Sequence, residues 1–91
     1  MQITWDPEKA ADNLRDHGVA LADAATVLDD PFAITIEDRE QDEQRFVTLG
    51  ADLTGKILVV VYAYASDEEI RLISAREASR GERRRYEEEP R

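Results

Sequence analysis

Apolar and polar positions along these 91 residues repeat with two different periods, and the change of period divides the chain. The first third reads as helical. Gln2–Trp5 predicts a short opening strand, after which Asp6-Pro7 starts a helix. Aspartate at the N-cap accepts backbone N–H bonds, and proline at the first helical position sacrifices none. Ala10, Ala11 and Leu14 share one face, and Gly18 ends the helix as a left-handed residue with Val19 beside it. Leu21, Ala24, Ala25 and Leu28 then carry the i, i+3, i+4, i+7 spacing of a second buried stripe, stopped by Asp29-Asp30-Pro31.

Beyond Pro31 the period becomes two. Phe32, Ile34 and Ile36 alternate with Ala33, Thr35 and Glu37, a half-buried strand. A polar loop over Glu37–Gln44 leads to a strand over Arg45–Gly50 and a turn over Ala51–Lys56. Ile57–Tyr64 is almost wholly apolar and β-branched, which marks the central strand, covered on both faces. Ile70–Ala75 is the last strand, and Ser79-Arg80-Gly81-Glu82 matches a capping box that opens a final helix. Short connections imply antiparallel neighbours. The fold class expected is α+β: helices on one face of an antiparallel sheet, a last helix crossing its end, and a single domain over residues 1–91.

Charge sharpens the picture. The net charge is −9, yet six of the 12 basic residues (Arg76, Arg80, Arg83, Arg84, Arg85 and Arg91) fall in the last 16 positions. A chain this acidic should not bind duplex DNA by itself, because that affinity comes largely from neutralising phosphates. A local basic patch, or a partner that supplies one, must mediate any contact with nucleic acid. There is no cysteine, which suits a reducing cytoplasm, and no apolar run of the roughly 20 residues that a membrane span needs. The N-terminus lacks the pattern of a signal peptide, so a soluble cytoplasmic protein is expected. One histidine and no cysteine make a transition-metal site improbable, and no cofactor motif is present.

Trp5-Asp6-Pro7-Glu8-Lys9-Ala10, Asn13, His17-Gly18-Val19, Ala24-Ala25 and Asp30-Pro31 resemble the front half of the BrnT toxins. Leu58-Val59-Val60-Val61-Tyr62, Ile70-Arg71-Leu72-Ile73-Ser74-Ala75-Arg76, Ala78 and Glu82-Arg83-Arg84-Arg85-Tyr86-Glu87 resemble the back half, in order and at matching spacing. The resemblance implies a RelE-like fold, a toxin of a type II toxin–antitoxin pair and ribonuclease activity. It also implies a cognate ribbon-helix-helix antitoxin that neutralises the toxin and carries operator binding, so that DNA is met only through the antitoxin. The chain departs from its relatives at Ala65, where an arginine is common just past the central strand, and at Ala20, where a serine often caps the second helix.

Metal-independent RNA cleavage needs a 2′-hydroxyl deprotonated, a 5′-oxygen protonated and the charge on phosphorus stabilised. Arginine suits the last task, since its planar fork stays charged and can give phosphate two hydrogen bonds. Arg71 alternates against Ile70 and Leu72, Arg76 stands at the strand-to-helix junction, and Arg45 opens a neighbouring strand. The expectation is that these converge at one end of the sheet, with Arg71 and Arg76 catalytic and Arg45 assisting in RNA binding. Ordinary ion pairing with some of the 21 carboxylates is the competing account.

Tyr62 and Tyr64 share one face of their strand and could stack a base, with Tyr64 a proton donor. His17 is the one side chain whose ordinary pKa lies near neutrality, although its place at a helix C-terminus also suits a capping role. Arg83, Arg84 and Arg85 each have a glutamate four positions on and could pair with it, whereas Arg80 has Arg84 there. Arg76, Arg80 and Arg83, spaced four and three apart, are the residues expected to meet the antitoxin. The alternative to a ribonuclease is a catalytically weak or inactive toxin-fold module that works through partner binding and transcriptional autoregulation.

Overall fold

The computed structural model describes residues 1–39 and 43–90. β1 (Gln2–Thr4) is followed by α1 (Pro7–His17), α2 (Leu21–Ala25) and a 3-10 turn (Thr26–Asp29). Then come β2 (Ile34–Asp38), β3 (Arg45–Ala51), β4 (Ile57–Ser66), β5 (Glu69–Glu77) and α3 (Arg80–Glu88). The predicted caps form. Asp6 accepts the Glu8 N–H with Pro7 in the first turn, and Gly18 adopts φ 69°, a value that glycine takes without steric cost. Ser79 and Glu82 close the capping box that opens α3. Ala20, lacking a side-chain acceptor, leaves α2 uncapped, and that helix tightens into the 3-10 turn after five residues.

The five strands lie in the order β1-β5-β4-β3-β2. β2, β3, β4 and β5 are antiparallel neighbours, but β1 runs parallel to β5, which short connections alone do not predict. The two helices between β1 and the rest of the sheet supply the crossover that a parallel pair requires.

α1 and α2 pack on one face. Val19, Leu21, Ala24 and Val27 meet Leu58, Val60, Tyr62, Ile70, Leu72 and Ala75 there. Burying a side chain such as Leu21, Leu58 or Leu72 stabilises the fold by about 1.5–3 kcal/mol each. α3 departs from the expectation. It lies on the opposite face, where Tyr86 and Ala78 pack with Leu49 and Val59. The Tyr86 hydroxyl donates to Asp30 Oδ2 at 2.6 Å, and the same oxygen accepts the Ala51 N–H, so one carboxylate ties α3, β3 and the 3-10 turn together. One face of the sheet is thus covered by α1 and α2, and the other is covered by α3 at one end only.

Candidate functional site

The face shared with α3 is built from three rows of side chains. Ile34, Leu49, Val59 and Arg76 are aligned in the row beside α3. Ile36, Val47, Val61 and Ser74 form the next. The outermost row holds Asp38 opposite Arg45, and Arg71 opposite Ala63, with Arg45 one position before the Phe46–Tyr62 pair and hence beside Ala63. Arg45 and Arg71 therefore flank a residue with only a methyl group, which leaves room above β4 for both guanidinium groups.

Glu43 joins them. Its Oε1 accepts a hydrogen bond from Arg71 Nη2, and its Oε2 lies 3.6 Å from Arg45 Nη2. All three side chains remain about two-fifths exposed, at 39 to 41%. The arrangement is a carboxylate resting in a two-arginine cradle open to solvent. Glu43 was not among the residues picked out from the sequence. It is 28 positions from Arg71, and only strand pairing brings the two together.

Arg76 occupies the same face for a less obvious reason. Strict alternation from Arg71 would send position 76 to the helix-covered side. A register shift between Val61 and Tyr62 pairs Val61 with Ser74 and Tyr62 with Leu72, leaving Ile73 as the extra residue of a bulge. The alternation is reversed beyond it, so Arg76 stands opposite Val59 on the arginine-bearing face. It does not converge with Arg45 and Arg71 as expected, because Val59 and Ala63 are four positions apart along β4. Its Nη1 and Nη2 instead donate to Glu82 Oε1 and Oε2 at 2.8 and 2.9 Å. These hydrogen bonds, followed by one from the Ser79 N–H, lower the Glu82 carboxyl to about 2.

The aromatic and histidine candidates lie elsewhere. Tyr62 and Tyr64 pair with Leu72 and Ile70, so they face α1 and α2, away from Arg71. Tyr62 is buried and its hydroxyl is bonded to Thr48 Oγ1 at 2.9 Å, which rules out stacking on a base. Tyr64 is half exposed but stands edge-on to Phe46, with ring centroids 5.4 Å apart, on that same helix side. His17 ends α1 and lines a shallow depression with Lys9, Asp12, Asp16, Ile73 and Ser74 at the outer edge of β5. None of the three reaches the two-arginine cradle.

Arg80 and Arg83 are exposed on α3 and form no ion pair among the described residues. The pairs spaced four apart, Arg83–Glu87, Arg84–Glu88 and Arg85–Glu89, are likewise not closed. Arg91 and part of the loop over Glu37–Gln44 lie outside the described residues. Among the described residues there is no cluster of histidine, cysteine or carboxylate groups able to hold a metal ion, and no helix long and apolar enough to cross a membrane.

A five-stranded sheet with two helices on one face and arginines on the other is a RelE-like α+β architecture, the class of the small toxin folds. The family model for the ribonuclease toxin BrnT of type II toxin–antitoxin systems matches residues 5–82, and the chain belongs to that family. Membership implies an antitoxin partner. The crystal structure of the Brucella abortus ribonuclease toxin BrnT is similar, with a TM-score of 0.67 and 26% sequence identity over 88% of this chain and 99% of that one. Comparison with curated proteins gives no match.

Proposed function

We propose that this chain is a metal-independent endoribonuclease, with Arg71 and Arg45 holding the scissile phosphate. The observation that carries the reading is the Arg45–Glu43–Arg71 cradle above Ala63. A phosphate carries the same charge-bearing oxygens as the carboxylate now resting there, and two arginine forks can take it in Glu43's place. The 2′-oxygen attacks phosphorus, the 5′-oxygen leaves, and a 2′,3′-cyclic phosphate with a free 5′-hydroxyl results. The arginines stabilise the charge that builds on the non-bridging oxygens. Displaced from the cradle but still beside it, Glu43 is the carboxylate placed to accept the 2′-hydroxyl proton, and solvent protonates the leaving oxygen. Tyr64 and His17, on the other side of the sheet, have no part in this scheme.

The protein acts in the cytoplasm, and its antitoxin is of the ribbon-helix-helix type, meeting DNA on behalf of both. Purified protein freed of its antitoxin should cleave single-stranded RNA in the presence of a chelator. Arg71→Ala should lower the rate by about 100-fold or more, the range seen when one oxyanion donor is removed. A requirement for Mg²⁺, or cleavage that survives Arg71→Ala, overturns the site.

One observation favours the second reading, an inactive module that works by binding its partner. Position 65 is an exposed alanine at the end of β4, where the family resemblance leads one to expect an arginine. Induced expression without the antitoxin separates the two, since the inactive module leaves growth and RNA intact while the complex still forms.

A further inference from the structure

Arg76 stands on the same face of the sheet as the cradle, and the scissile phosphate does not use it. Four residues of β4 place it roughly 13 Å from the Arg45–Arg71 row at the rise of an extended strand. That span is longer than the gap between neighbouring phosphates on one nucleic-acid strand, so the two positions serve different parts of a chain. The row between them is Ser74, Val61, Val47 and Ile36, mostly apolar, with Ile36 52% exposed. Arg85 lines the same groove from α3 and forms no ion pair among the described residues.

Like Arg71, Arg76 holds a carboxylate of the chain, and it does so more completely than Arg71, whose Nη2 alone meets Glu43 Oε1. The Arg76 guanidinium presents two nitrogens to two oxygens of one anion, the geometry with which arginine grips phosphate. Each of the two positions is thus filled by a carboxylate of the chain itself, Glu43 at one and Glu82 at the other.

We infer that Arg76 is a second phosphate-binding subsite for single-stranded RNA and that Glu82 occupies it in the free protein. This rests on the reading of the face as an RNA site. A backbone phosphate displaces the Glu82 carboxylate from Arg76, while Ser79, whose N–H donates to Glu82 Oε1 at 2.8 Å, keeps the glutamate at the helix start. RNA spanning both positions is held more tightly than RNA reaching the cradle alone.

The test is binding of a short single-stranded RNA with 2′-O-methyl groups, which has no nucleophile and cannot be cleaved, followed by fluorescence anisotropy over a range of salt. Arg76→Ala should weaken binding about tenfold, as loss of a charged hydrogen-bond pair does. It should also lower the slope of log affinity against log salt by about 0.7, the value for one phosphate contact on a single strand. Arg76→Lys, which keeps the charge but loses the fork, should fall between wild type and alanine. Glu82→Gln should have the opposite sign and tighten binding by about threefold or more. Glutamine still serves the capping box, so α3 keeps its start.

A purely structural ion pair gives a different pattern, in which all these variants lower the melting temperature and the folded fraction binds RNA as wild type does. That outcome overturns the inference. The two readings fail separately. Cleavage of unmodified RNA that depends on Arg71, with unchanged binding by the Arg76 and Glu82 variants, removes the subsite and keeps the ribonuclease. Absence of cleavage with the opposed binding effects intact keeps the subsite and removes the ribonuclease.

Discussion

Asn13 shows how one side chain can stand in for a missing strand. β1 ends at Thr4, opposite Arg71, so the outer edge of β5 beyond that point has no neighbouring strand among the described residues. Asn13, buried on α1, supplies the partners. Its Oδ1 accepts the Ala75 N–H, and its Nδ2 donates to the carbonyls of Ala75 and Val19. Asn13→Ala leaves these buried groups unpaired, at about 1–3 kcal/mol for each unsatisfied group. We expect a net loss of about 3 kcal/mol, seen as a fall of about 15 °C in melting temperature. Asn13→Asp should not restore it, because a carboxylate keeps the acceptor and loses the donor. A melting temperature within a few degrees of wild type would contradict this account. The sequence marked position 13 only through the family resemblance, since the need for an amide there arises from how short β1 is.

α3 is an element whose beginning was legible and whose location was not. The Ser79–Glu82 capping box depends on neighbours three positions apart, and it forms as read. Tyr86 is the helix's one buried residue, and the helix shows no apolar stripe to declare which side of the sheet it covers. The attachment is polar as much as apolar, through Tyr86 to Asp30 and Glu82 to Arg76. It therefore responds to acid. Glu82 titrates at about 2 in place of the ordinary 4.5. A depressed carboxyl contributes stability that is complete above its unfolded value and is lost as pH falls through its folded one. The stability difference between wild type and Glu82→Gln should accordingly be constant above pH 4.5 and shrink between pH 4.5 and about 2. Its size should be about 1 kcal/mol, since the pair is partly solvated. Urea melts at pH 6, 4 and 3 measure it, and a difference that does not change with pH would mean that Glu82 and Arg76 are not paired in solution.

Over the whole molecule, charge is sorted by location. Residues 1–75 carry a net −10 and residues 76–91 a net +1, and Arg80 and Arg83 stand exposed on α3. We expect an antitoxin approaching with acidic side chains to be drawn to α3 and repelled elsewhere, which would fix its orientation. Reversing Arg80 and Arg83 together to glutamate should slow association about tenfold at low salt and flatten its salt dependence. Unchanged kinetics in a stopped-flow titration with the purified antitoxin would place the interface on another surface. The sequence by itself determined what depends on near neighbours. It specified the caps of α1 and α3, the buried positions Leu21 and Ala24 of α2 (though not Val27, which replaces Leu28 as the buried residue once the helix tightens into the 3-10 turn), the central strand β4 and the opposition of Arg71 to Ile70 and Leu72, all set by periods and contacts a few residues long. Only the tertiary structure decided which residues share a site. Tyr62 and Tyr64 went to the helix side because their neighbours in β5 are Leu72 and Ile70. Arg76 came to the side of Arg71 because one bulge at Ile73 reversed the alternation. Glu43 reached Arg71 through the pairing of β3, β4 and β5. Register is a property of the assembled sheet, and a shift of one residue moves every side chain beyond it to the other face.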